Sequence, residues 1–508
     1  MGRARTRRRK RRPRILIVTP EITYLPDGMG NLSNRLSAKA GGLADVSASL
    51  VAALYDLGAD VHVALPHYRR LFHMEVGNLI SQELRTYLSK LPEDRVHLAE
   101  DRIFYYRDSV YSGYEAENRR LALVFQREVI NNIIPWVRPD LVHCNDWMTG
   151  LVPAHARRLD IPALFTVHNI HTREVTLAEI EDHGIDAAEF WQNLYYVRMP
   201  GTYDETRTSI PVDLLTSGIF ASHFINTVSP SFLREIVDGR HDFVPPAVQA
   251  ELREKAEAGC TEGILNAPDP SYHPSRDDAL AVRYGPMDHF EAKHQNKIAF
   301  QRTVGLELNP EAPLFFWPSR LDPVQKGCQL LAEILYDVVH AYWAEGLQVA
   351  FVANGPYAGV FEDIVRWHGI GHRVSVRPFA EKVSRLGYAA ADFVLMPSRF
   401  EPCGLPQMIG ALYGALPVAH DTGGLHDTVE PLDPHEGRGN GFRFEVYDAR
   451  GLRWAIDRAM DFFHLPPGVR IANVRRVMAE AAGRFTHTET ARRYIELYER
   501  MLDRPLVS

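Results

Sequence analysis

The stretch "PSRLDPVQKGCQLL" sets two cations, Arg320 and Lys326, in one strand-to-helix turn, with Gly327 beside them. Two fixed positive charges beside a flexible backbone suit a diphosphate; a solvated turn is the competing reading. Further on, "PSRFEPCGLPQ" puts Glu401 in a loop directly after one strand and before a helix. A carboxylate so placed accepts hydrogen bonds from sugar or ribose hydroxyls. In the same loop Cys403, Gly404 and Leu405 precede the helix, whose first amides face a phosphate in this reading. Gly423-Gly424 marks another close approach of backbone. In the first half, "VHCNDWMTG" and "TVHN" bring His143, Asp146 and His168 to neighbouring strand ends, where converging polar groups mark a site. "LSAKAGGLADV" puts Lys39 ahead of Gly41 and Gly42. It is no nucleotide P-loop, which needs its lysine after the glycines.

These groups need a scaffold that delivers them to one edge. "RILIVTPE", "ADVHVALP", "DLVHCND", "ALFTVHN" and "HFINTVSP" are strand-sized apolar runs alternating with helical stretches. Helices are expected from near Leu43, from about Thr149 and from Lys326. The rhythm restarts after "GILNAPDPSYHPSRDD" with "PLFFWPSR", "LQVAFVAN", "RVSVRPF", "DFVLMPS" and "ALPVAHD". Strands buried on both faces and alternating with helices make parallel, doubly wound sheets. The expected organisation is α/β: a basic tail over 1–13, Rossmann-like domains over 14–264 and 265–485 facing across a cleft, and a C-terminal helix over 486–508 packing back on the first domain. Ligands of such sheets lie beyond the carboxyl ends of the strands. All the groups above lie there.

Composition narrows the class. The 508 residues are 45% hydrophobic and 24% charged, as in a globular protein, and no apolar run is long enough for a membrane span. The first 14 residues hold nine Lys/Arg and no acid within a chain of net charge −7, so the body is acidic and nucleic acid is not the main partner expected. Cys144, Cys260, Cys328 and Cys403 are far apart, without a CxxC pair, which fits a reducing cytoplasm.

Taken together, "KAGGLADV", "VHCNDW", "TVHN", "GILN", "SRLDPVQKG", "PSRFEPCGL" and "TGGLHDTV", in that order, resemble the bacterial glycogen and plant starch synthases, retaining glycosyltransferases of GT-B architecture. The resemblance implies glucose transfer from ADP-glucose to the non-reducing end of an α-1,4-glucan, with nucleotide sugar and glucan as partners. It implies that Lys39, Gly41 and Gly42 approach the donor, and that Arg320 and Lys326 hold the diphosphate and stabilise the leaving group. Glu401 would bind donor-sugar hydroxyls, and His168 would sit beside the anomeric centre. Asp45, His143, Asp146 and Asn266 would line the cleft, with Asp45 in the catalytic set. Phe379 falls where the family usually stacks a tyrosine on adenine. No Asp-x-Asp pair occurs, which agrees with a transferase using no metal and no cofactor.

The chain departs from the family pattern at several points. "YLPDGMGNLSNRLSA" is inserted between Glu21 and Lys39, with Tyr24, Leu25 and Met29 expected to meet a sugar or the facing domain. Pro406 replaces a usual threonine, Thr216 a lysine and Met148 a histidine. The alternatives are a related transferase using UDP-glucose or a small acceptor, a sugar-nucleotide epimerase, and a non-catalytic glucan-binding relative.

Overall fold

The computed structural model describes residues 11–29, 36–40, 42–72 and 95–507. The chain divides into two units. The first runs to Val228, resumes over Arg234–Ile264 and ends with His487–Ser508; the second takes Ser229–Leu233 and Leu265–Thr486.

In the first unit the strands are β1 (Arg14–Val18), β2 (Asp60–Pro66), β3 (Val96–Ala99), β4 (Leu141–Asn145), β5 (Ala163–Val167), β6 (Glu174–Val175), β7 (Val212–Asp213), β8 (Phe224–Thr227) and β9 (Thr261–Gly263). β6 and β7 pair antiparallel by themselves. The others form a parallel sheet in the order β3-β2-β1-β4-β5-β8-β9. The runs "ILIV" and "ALFTV" are buried throughout, as a sheet covered on both faces requires. From β1 the chain winds outward to β3, then restarts beside β1 at β4. The reversal between β1 and β4 opens a crevice at their carboxyl ends.

The second unit repeats the plan with β10 (Leu314–Trp317), β11 (Gln348–Val352), β12 (Val374–Arg377), β13 (Phe393–Met396), β14 (Leu416–His420) and β15 (Phe442–Phe444). Their order is β12-β11-β10-β13-β14-β15, all parallel. Here the reversal lies between β10 and β13.

Two expected helix starts shift. Lys326 does not open its helix: Gly327, at φ +71°, ends the turn, and the helix is Cys328–Ala341. A β-carbon at Gly327 would stand 2.0 Å from the Pro397 carbonyl oxygen, so the turn is pressed on the loop after β13. After β4 the chain makes a 3₁₀ turn, Trp147–Thr149, before the helix Val152–Arg158, whose first turn accommodates Pro153. The insertion is also placed differently from expectation. Leu25 and Met29 are buried in the first unit, Tyr24 Oη meets Ser49 Oγ at 3.0 Å, and Ile22 and Ala38 bridge its base. Its residues 30–35, and Gly41, lie outside the described residues. Among the described residues no helix is long and apolar enough to cross a membrane.

Candidate active site

In the first unit the polar groups gather at the carboxyl ends of β1, β4 and β5. Asp146 follows β4 with φ 56° and ψ 179°, a conformation nearly confined to glycine and costing a non-glycine residue about 1–3 kcal/mol. Its partners hold it there. Asp146 Oδ1 accepts the His168 amide at 2.7 Å, and Oδ2 accepts Asn169 Nδ2 at 2.9 Å. Burial pushes its carboxyl pKa up to about 7; the amide bonds oppose the rise and Glu21 adds to it. Asp146 thus fixes the loop that carries His168.

His168 Nε2 lies 2.9 Å from Asn145 Oδ1, and Asn145 Nδ2 donates to the Val18 carbonyl at 3.1 Å. That second bond sets the Asn145 amide, so His168 carries its proton on Nε2 and keeps a lone pair on Nδ1. Burial lowers its pKa to about 3, leaving a neutral ring at pH 7. This ring is an acceptor for a hydroxyl, not a proton donor.

His143 was expected to line the site and does not. It stands inside β4 at 0% exposure, with Nδ1 2.7 Å from Tyr498 Oη and Nε2 2.7 Å from Thr166 Oγ1. Both ring nitrogens are used in the interior, and burial lowers its pKa to about 3. The helix His487–Leu502 supplies Tyr498, and from the same helix Tyr494 accepts Asn226 Nδ2 at 2.7 Å.

Lys39 Nζ pairs with Asp45 at 2.7 Å, in the first turn of the helix Gly42–Asp56, and Gly42 is exposed at its start. Behind this turn is a residue that served in the sequence only as a landmark. Glu21, buried just beyond β1, accepts the Ala40 amide at 2.7 Å and the Tyr111 hydroxyl at 3.2 Å. Tyr111 comes from a loop 90 residues away, and nothing in its local sequence marks it.

In the second unit the turn after β10 and the loop after β13 meet at the sheet's reversal point. Lys326 Nζ lies 2.6 Å from Glu401 Oε2, and Ser398 Oγ donates to the same oxygen at 3.0 Å. Both ends of the ion pair are buried. The Arg399 amide donates to the Gln325 carbonyl at 2.8 Å, joining the two segments. Arg320 is exposed, and no described residue pairs with its guanidinium. A β-carbon on Gly423 would stand 2.1 Å from the Glu401 carbonyl oxygen, and one on Gly424 2.0 Å from that of Cys403. Only glycines let this backbone seat the Glu401 loop. Gly404, at φ +73°, turns the loop, and Leu405 precedes the helix Pro406–Tyr413. Burial pushes the Cys403 thiol up to about 12, so it is a packing group rather than a nucleophile. Asn266 is nearly buried, with Oδ1 unpartnered. Phe379 follows β12 half-exposed, its amide held by Asn354 Oδ1 at 3.0 Å. Among the described residues no cluster of three or more His, Cys, Asp or Glu could hold a metal ion.

Comparison with known proteins agrees with this geometry. Residues 14–243 match the family model of the starch synthase catalytic domain, and residues 312–461 that of glycosyl transferases group 1. The glycogen synthase of Moorella thermoacetica is 32% identical over 97% of either chain. That of Exiguobacterium sibiricum is 32% identical over 91% of this chain and 95% of its own. The catalytic domain of starch synthase IV from Arabidopsis thaliana, solved bound to ADP and acarbose, superposes with a TM-score of 0.76 at 26% identity, over 97% of this chain and all of that one. A sucrose-phosphate synthase from Thermosynechococcus elongatus, at TM-score 0.56 and 17% identity, shares the fold alone. The chain belongs to the glycogen and starch synthase family, glucosyltransferases of the GT-B fold.

Proposed function

We propose that this glucosyltransferase takes glucose from ADP-glucose and adds it, with retention, to the non-reducing end of an α-1,4-glucan, without metal or cofactor. The observation that carries the reading is the meeting of Lys326 and Glu401 at the reversal point of the second sheet, with Arg320 beyond the same strand as Lys326. The starch synthase IV relative holds ADP and acarbose, a nucleoside diphosphate and an oligosaccharide mimic. That pair of ligands supports ADP over UDP as the nucleotide.

In this reading Arg320 and Lys326 meet the diphosphate and stabilise the negative charge that grows on it as the glycosidic bond breaks. Glu401, oriented by Lys326 and Ser398, accepts hydrogen bonds from hydroxyls of the donor sugar. Neutral His168 accepts another through Nδ1. Phe379 offers a ring face for the base. The leaving phosphate takes the proton of the incoming 4-hydroxyl, so no separate strong base is required. Asp146, Glu21 and His143 position other groups and touch no substrate. Pro406 favours a second reading, UDP-glucose as donor, because it removes one amide at the mouth of the helix Pro406–Tyr413.

The test is nucleotide release from ADP-glucose and from UDP-glucose, each with and without glycogen. Glycogen-dependent release of ADP is expected. Preference for UDP-glucose, or equal release without acceptor, overturns the proposal.

A further inference from the structure

The second unit carries an aromatic surface that the reaction does not use. The helix Cys328–Ala341 starts at the Lys326–Gly327 turn and runs about 21 Å away from it. Tyr336, His340 and Trp343 lie at i, i+4 and i+7, one stripe toward and past its far end. The helix Ala358–His368 ends beside this stripe, where the His368 ring stacks on Tyr336 at 3.9 Å. His372 meets Trp343 edge-on at 5.4 Å. Three of these aromatic side chains remain open to solvent: Trp367 is 86% exposed, Trp343 43% and Tyr336 37%.

Large exposed rings are a cost unless they meet a partner. The charges around them decide which. Arg366 pairs with Asp363, and Arg373, lying over the Trp343 ring at 5.2 Å, pairs with Glu307. With the rim charges neutralised in pairs, the patch attracts neither a polyanion nor a charged peptide. Flat rings flanked by imidazole and other polar groups suit a neutral ligand with alternating C–H faces and hydroxyls. Rings also hold their shape at small entropic cost, as in other recognition surfaces.

We propose that Tyr336, Trp343 and Trp367 form a glucan-binding surface, which holds the polymer at the amino edge of the second sheet, away from the Lys326 turn. The inference rests on the glucan acceptor proposed above. The stripe from Tyr336 to Trp343 spans about 10 Å, room for more than one sugar ring.

The test is native electrophoresis through gels with and without glycogen, paired with transfer to glycogen and to a short maltooligosaccharide. The variants are Trp367→Ala, which loses almost no packing, and Trp343→Ala/Trp367→Ala. The parent should be retarded by glycogen. The double variant should bind glycogen about tenfold more weakly and show a raised KM for it, with turnover on the short acceptor unchanged. A parent that transfers glucose but is not retarded overturns the surface alone, as does a double variant retarded like the parent. A loss on the short acceptor equal to that on glycogen also overturns it. Retardation lost in the variants supports the surface whichever nucleotide the donor carries.

Discussion

Lys326 Nζ stands 2.6 Å from Glu401 Oε2, a buried ion pair that links the turn after β10 to the loop after β13. One group faces phosphate in the proposed reaction and the other faces sugar, so the pair sets the spacing between them. It also makes the two residues unequal to Arg320, which is exposed and unpaired among the described residues.

Arg320→Ala and Lys326→Ala are each expected to lower turnover by about 10² or more, since each removes charge stabilisation specific to the transition state. They should differ in stability. Lys326→Ala strands the buried Glu401 carboxylate and should cost about 3–5 kcal/mol, whereas Arg320→Ala should leave the melting temperature nearly unchanged. Turnover assays with thermal unfolding check both. Near-normal turnover in both variants refutes the assignment.

Transfer should persist in EDTA. The cations at the second sheet take the place of a divalent ion in this reading. Loss of activity on chelation, restored by magnesium or manganese, would contradict it.

Gly424→Ala should destabilise the protein by about 1–3 kcal/mol and depress turnover, because the new methyl meets the Cys403 carbonyl oxygen at 2.0 Å. Backbone cannot yield as a side chain can, so the Glu401 loop must move. An alanine variant with parental kinetics would show that this contact does not seat the loop.

Glu21→Gln should lower turnover roughly tenfold, by loosening the turn that presents Lys39. It should also bring the Asp146 pKa down, since the Glu21 charge helps to hold it up. A kinetic pH profile and a titration of Asp146 test this. An unmoved Asp146 together with parental turnover rejects the positioning role.

Stability should fall in acid in a way that depends on His143. Its folded pKa of about 3 lies below the ordinary histidine value of 6.5, so in that interval the unfolded chain binds the extra proton. The contribution of this group is complete above pH 6.5 and declines as pH falls toward 3. His168 acts in the same direction. Asp146, raised to about 7, opposes them, because its folded form binds the proton first. His143→Gln should flatten the acid decline by about 1.4 kcal/mol per pH unit in this window. Urea titrations at pH 5 and 7 give the slope; parallel slopes for variant and parent would exclude the effect.

The sequence made the sheet centres plain and the sheet edges faint. "LFFW" and "FVLM" are apolar on both faces, so they announce buried parallel strands, and the polar residue beyond each announces a site. β9 is only "TEG", half-buried throughout, and β15 only "FRF"; neither is long enough to show a period. His143 and His168 read alike in sequence. One lies within a strand and the other one residue past a strand's end, and the tyrosine that covers the former is 355 residues away. No local pattern carries that information. The Glu21–Tyr111 bond was hidden for the same reason, as was the direct pairing of Lys326 with Glu401, whose loops are 75 residues apart.

The Tyr498–His143 bond has a consequence for biosynthesis. At usual elongation rates the ribosome adds the last helix roughly 20 to 70 s after His143 has been polymerised. Until then one face of the first sheet, around His143 and Asn226, waits without its tyrosines, while the entire second unit is being made. A nascent chain halted before residue 487 therefore carries its defect at its beginning. A holdase chaperone would be recruited to the oldest part of the polypeptide rather than to the newest.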